Sequence, residues 1–122
     1  MADEVFVAQA DEIAEGDRRL VRAGPLVVGV FRIHGRYYAY RNRCVHQGGP
    51  VCQGTILGKV EAVLAPDRHV VRERFSSDKI HLVCPWHGYE YDIKTGVCAA
   101  NPALRLTAYP VIERDGGIYV RV

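Results

Sequence analysis

The chain has 122 residues, 48% of them apolar and 25% charged, the balance of one ordinary globular domain with a modest hydrophobic core. Its 16 basic and 14 acidic residues leave a net charge of +2, too near neutrality to argue for a nucleic-acid or anionic-membrane partner. The longest apolar run, Pro25 to Phe31, is too short to span a bilayer, and Met1-Ala2-Asp3-Glu4 has neither the basic start nor the apolar stretch of a secretory leader. A cytoplasmic, non-membrane setting is therefore expected, in which Cys44, Cys52, Cys84 and Cys98 read as thiols or metal ligands rather than a disulfide frame.

Short strands are predicted along the whole chain, giving an all-β single domain over 1–122. Glu4 to Ala8 and Arg18 to Arg22 are the first two, with one helical turn expected over Asp11 to Glu15 between them. Leu26 to Ile33 is rich in β-branched residues and stops at His34-Gly35. Arg36 to Tyr40 follows, so the pair reads as a β-hairpin around a two-residue turn. Cys44 to Pro50 is glycine-rich and irregular. Pro66 forbids one uninterrupted helix over Glu61 to Arg74, which is expected to be a loop or hairpin insertion within about 54–78. Ile80 to Cys84 is a strand that delivers Cys84 and His87 into a loop, and Tyr89 to Ile93 and Val97-Cys98 flank the turn Lys94-Thr95-Gly96. A second hairpin closes the chain, with strands Ala108 to Arg114 and Ile118 to Val122 around Asp115-Gly116-Gly117.

Two residue pairs carry the chemistry. Cys44-Val45-His46 and Cys84-Pro85-Trp86-His87 form C-x-H and C-x-x-H motifs separated by 37 residues, each with glycine just after the histidine (Gly48 and Gly49, then Gly88). Each pair offers one thiolate and one imidazole. Two ferric ions and two sulfides sum to a charge of +2, which two thiolates cancel and four would overturn to −2. A neutral centre accepts an electron more readily than a dianion, so replacing two cysteines by histidines raises the reduction potential, to roughly −150 to +300 mV against about −400 mV for four-cysteine clusters. Both cysteines on one iron and both histidines on the other would use one ligand of each kind from each loop. A tetrahedral zinc site is the alternative, although zinc modules usually pair like with like at short spacing.

Cys84-Pro85-Trp86-His87-Gly88-Tyr89-Glu90-Tyr91-Asp92, with Thr95-Gly96 beyond it, resembles the second cluster loop of Rieske-type ferredoxins and Rieske oxygenase domains. Cys44-Val45-His46-Gln47-Gly48-Gly49-Pro50-Val51 is similar to the first. The resemblance implies three stacked antiparallel sheets, a cluster-binding subdomain (about 42–102) at one tip, and one 2Fe–2S cluster on Cys44, His46, Cys84 and His87, the histidines near the surface. It places Pro102 in a loop that shields the cluster, and Tyr91 where a hydroxyl can bond a ligand thiolate. Trp86 and Gly88 complete the residues expected to surround and tune the cluster, Trp86 as packing or as a partner contact. The gap between the pairs exceeds the family's usual one by some twenty residues, within Gly54 to Asp78. The cysteine pair that forms a disulfide in high-potential members is missing, since Trp86 stands at one of its positions. Tyr89 stands where those members have a serine. A low-to-intermediate potential is expected, falling as pH becomes alkaline if exposed ligand histidines titrate.

The chain has no G-x-G-x-x-G fingerprint and no evident second ligand set for a mononuclear iron. The resemblance thus implies a stand-alone carrier passing one electron from a reductase to a terminal oxygenase. A permanently bound small subunit of a larger oxidoreductase is one alternative, and a zinc-stabilised or redox-sensing interaction module another. Cys52 and Cys98 are expected as free thiols, with a Cys52–Cys98 bridge as the alternative. His34, His69 and His81 are expected to have no ligand role, and Arg68, Arg72 and Arg74 to form a solvated face.

Overall fold

The computed structural model describes residues 3–45, 48–64, 70–86 and 88–122, and over 59–64 and 70–78 the backbone alone. In chain order it has β1 (Glu4–Gln9), a 3-10 turn (Ala10–Glu12), β2 (Arg18–Ala23), β3 (Leu26–Ile33), β4 (Arg36–Arg41) and a second 3-10 turn (Val51–Gln53). Then follow β5 (Thr55–Leu64), β6 (Val70–Val83), β7 (Glu90–Asp92), β8 (Ala108–Tyr109), β9 (Val111–Arg114) and β10 (Gly117–Arg121). The strands make three antiparallel sheets of order β1-β10-β9, β2-β3-β4-β8 and β5-β6-β7.

The β3–β4 hairpin sets the register of the middle sheet. His34 and Gly35 have φ of 52° and 74°, the left-handed pair of a two-residue turn whose twist matches that of the strands. Both turn N–H groups donate to the Glu15 carboxylate, at 2.6 and 2.8 Å, and these bonds hold its pKa below the usual carboxylate value.

Alternation along β3 explains the layering. Val28 and Val30 are buried in one cluster with Val7, Ile13, Ile118 and Val120, against the β1-β10-β9 sheet. Phe31 and Ile33, on the opposite parity, are buried with Leu82, Tyr91 and Ile93, against β5-β6-β7. The middle sheet is therefore covered on both faces, and all four cysteines lie in the second cluster.

Several expectations shift in detail. The helical turn near residue 11 covers Ala10–Glu12, because Ile13 adopts extended backbone and is buried in the core. The expected strand Ala108 to Arg114 divides at Pro110, which has no N–H to donate. Tyr109 pairs with Ala39 in the middle sheet, whereas Val111 pairs with Val120 in the outer one, so the chain changes sheets at the proline. Val97 and Cys98 form isolated bridges to Arg105 and Tyr91 instead of a strand. The segment read as a loop or hairpin insertion holds the paired strands β5 and β6, registered from Thr55 opposite Val83 to Leu64 opposite Val70. Pro66, Arg68 and His69 lie outside the described residues, as do the side chains of Arg72 and Arg74.

Candidate metal centre

Two turns with the same backbone wiring present Cys44 and Cys84. The Cys44 N–H donates to the Gly49 carbonyl at 2.7 Å, and the Gly48 N–H returns to the Cys44 carbonyl at 2.7 Å. The Cys84 N–H donates to the Tyr89 carbonyl at 2.8 Å, and the Gly88 N–H returns to the Cys84 carbonyl at 3.0 Å. Gly48 and Gly88 occupy the same place in the two turns, with φ of 77° and 70°, a region that side-chain-bearing residues seldom enter. Both cysteines are buried, and none of the four cysteines is in a disulfide, so no Cys52–Cys98 bridge is present.

His46 and His87, the imidazoles of the expected ligand set, lie outside the described residues, as does Gln47. Among the described residues no group of three His, Cys, Asp or Glu side chains is close enough to hold a metal ion. What the described residues do show fits a metal centre that takes two sulfur donors. Two buried cysteines outside any disulfide start two matching turns, and a phenol is aimed at one of them.

That phenol belongs to Tyr91, whose hydroxyl lies 3.0 Å from the Cys44 sulfur. Tyr91 pairs with Leu82, two residues before Cys84, so the β6–β7 ladder links its position to the second turn. Burial above all, and then the Cys44 bond, push its pKa up from the phenol value. Toward a Cys44 thiolate, which has no proton to give, the phenol would be the donor.

Trp86 has two environments. Its ring lies so close over Gly49 that a Cβ there would sit 2.8 Å from Cδ2 and 2.9 Å from Cγ. The same side chain is 58% exposed, with Val45 of the other turn 39% exposed. Trp86 thus both joins the turns and presents apolar surface. Pro102 is exposed and borders an open cavity of about 400 Å³, shared with Lys79, His81 and Asp92. His81 is buried in that wall, its Nδ1 3.0 Å from Glu90 Oε1, and is thus engaged by a carboxylate.

The sequence reading missed the support behind the first turn. Asn42 Oδ1 accepts the Cys52 N–H at 2.9 Å, and the Cys52 thiol points at the Tyr40 carbonyl at 3.4 Å. Burial pushes the Cys52 thiol up to about 12. Gly29 leaves the room it occupies, since a Cβ there would stand 2.7 Å from its sulfur. An asparagine two residues before a candidate ligand was the one local signal.

The model of the Rieske [2Fe-2S] domain matches residues 3–110. The chain is 26% identical over 120 residues to the ferredoxin subunit of 3-phenylpropionate/cinnamic acid dioxygenase from Photorhabdus laumondii, covering 98% of this chain and 94% of that one. Its fold is similar to the ferredoxin of carbazole 1,9a-dioxygenase from Nocardioides aromaticivorans, with a TM-score of 0.70, 24% identity and coverage of 96% and 95%. It is likewise similar to a structure described as an NADH-dependent nitrite reductase small subunit from Mycobacterium tuberculosis, with a TM-score of 0.73, 17% identity and coverage of 100% and 96%.

Proposed function

This chain belongs to the Rieske [2Fe-2S] domain family, and we propose that it works there as a ferredoxin, taking one electron from a reductase and giving it to a terminal oxygenase. Cys44 and Cys84 would hold one iron of the cluster, and His46 and His87 the other. Residues 1–122 would act as one domain, working in the cytoplasm. Among the described residues, no helix is long and apolar enough to cross a membrane.

The observation that carries this reading is the pair of matching turns, each beginning at a buried cysteine and each spanning a histidine position in the sequence. The bound cluster supplies one-electron redox chemistry. The chain supplies the setting. Burial of Cys44 and Cys84 keeps water from the sulfurs. With Cys44 a thiolate ligand, Tyr91 would donate to its sulfur, a charge-assisted bond that strengthens as negative charge grows there. Trp86 and Val45 offer an uncharged face on which a partner can sit close to the histidine edge, as a small transient complex requires. Pro102 would help to cover the cluster from the loop before β8.

The second reading, a permanent subunit of a larger oxidoreductase, has its support in the fold likeness to the nitrite reductase small subunit. Iron and acid-labile sulfide analysis with a reduced-state EPR spectrum tests the cluster. A colourless protein without sulfide ends the cluster assignment, and zinc found in its place would select the zinc-stabilised alternative. Co-purification with one large partner would select the permanent subunit. Turnover of a reductase–oxygenase pair that depends on added chain would select the carrier.

A further inference from the structure

Behind the metal centre, a cation on a different sheet ties together the stems of both turns. Arg18 starts β2, and its Nη1 donates to the carbonyls of Cys52 at 2.7 Å and Gly54 at 2.5 Å, across 34 and 36 residues of chain. These carbonyls end the 3-10 turn Val51–Gln53, which continues directly from the first metal-centre turn. Carbonyls at such an end lack partners within the turn and need an outside donor. The guanidinium is held in place by Phe31, its cross-strand neighbour, with Cζ 5.6 Å from the ring centre.

The same point reaches the second turn. Gly54 packs so tightly on Val83 that any Cβ would run into the Val83 carbonyl, and Val83 immediately precedes Cys84. Thr55 and Val83 are ladder partners. Arg18 therefore grips the chain where the exit from the first turn meets the entry to the second. Asn42 grips the opposite side of the same 3-10 turn through the Cys52 N–H.

We infer that Arg18 is a positioning residue for the metal centre, with Asn42 as its counterpart, fixing the spacing of the Cys44 and Cys84 turns without touching the metal. This inference rests on the ligand assignment proposed above. Outer groups that orient metal ligands typically change metal affinity by about 10- to 100-fold when removed.

The test compares Arg18→Met, Arg18→Lys and Asn42→Ala with Val120→Ala, which thins the other core cluster far from the turns. Iron release to a chelator is followed well below each melting temperature, alongside the EPR g-values of the reduced protein. Arg18→Met and Asn42→Ala should release iron on the order of 10-fold faster than wild type and show altered g-values. Arg18→Lys, which keeps a donor and a charge, should recover part of the difference. Val120→Ala should lower the melting temperature and leave both readouts unchanged. If Arg18→Met does not fold, Asn42→Ala and Arg18→Lys carry the comparison. Equal release rates and g-values in all the folded variants would overturn the inference while leaving the cluster assignment intact. Absence of iron and sulfide from the wild-type protein would instead overturn the assignment itself.

Discussion

The Tyr91 hydroxyl and the Cys44 sulfur, 47 residues apart in sequence, meet at 3.0 Å in the core, with the phenol wholly buried. A donor to a thiolate stabilises the reduced, more negative state more than the oxidised one. Tyr91→Phe should therefore lower the reduction potential. A loss of about 1.4 kcal/mol of differential stabilisation corresponds to about 59 mV for one electron, so a fall on the order of 50 mV is expected in a redox titration. An unchanged or higher potential would remove Tyr91 from this role.

Gly49→Ala should destabilise the protein by about 1–3 kcal/mol through overpacking against Trp86. Trp86→Ala in the same chain should relieve most of that penalty, because the obstructing atoms belong to a side chain. Gly54→Ala should resist any such rescue, since its obstacle is the Val83 backbone. Denaturant melts of the single and double variants decide both points, and additive penalties at Gly49 and Trp86 would contradict the contact.

Trp86→Ala should also slow electron delivery to the oxygenase, by roughly the tenfold associated with losing an exposed aromatic anchor. The apparent KM for the chain should rise, with little dependence on ionic strength, since the anchor is uncharged. An unchanged KM would leave Trp86 with its packing role alone.

Cys52 should resist alkylation by iodoacetamide at pH 8 in the folded protein and react fully once unfolded, as peptide mass spectrometry would show. Its thiol is buried and pushed up to about 12, whereas the unfolded thiol ionises near its ordinary value. A raised folded value means that the contribution to stability is complete below the ordinary thiol range and is lost as pH rises from there toward about 12. Rapid labelling of the native protein at pH 8 would show that the site opens.

The hairpin of β3 and β4 was legible because His34-Gly35 marks a turn that local chemistry enforces. The two loops that begin at Cys44 and Cys84 were legible because residue type and glycine spacing are local properties too. Pro110 was the visible sign that the strand after Ala108 must break, yet the pattern was read through it. The start of β6 at Val70 was missed because Arg72 to Asp78 is polar and charged, without the apolar alternation that marks a strand. The grip of Arg18 on Cys52 and Gly54 had no signature at all. A lone arginine in a strand looks the same whether it faces water or two distant carbonyls, and only the tertiary approach tells the cases apart.

Among the described residues, both metal-centre turns are closed by main-chain hydrogen bonds, two amides and two carbonyls each. A closure of this kind is indifferent to what it displays. Exchanging the residues at positions 46 and 87, imidazole for thiol, would leave the main-chain groups of these closures in place. Such an exchange would carry the centre toward the strongly reducing range of all-sulfur clusters. The architecture thus separates the task of holding shape from the task of choosing voltage, and evolution or design can alter the second while leaving the first alone.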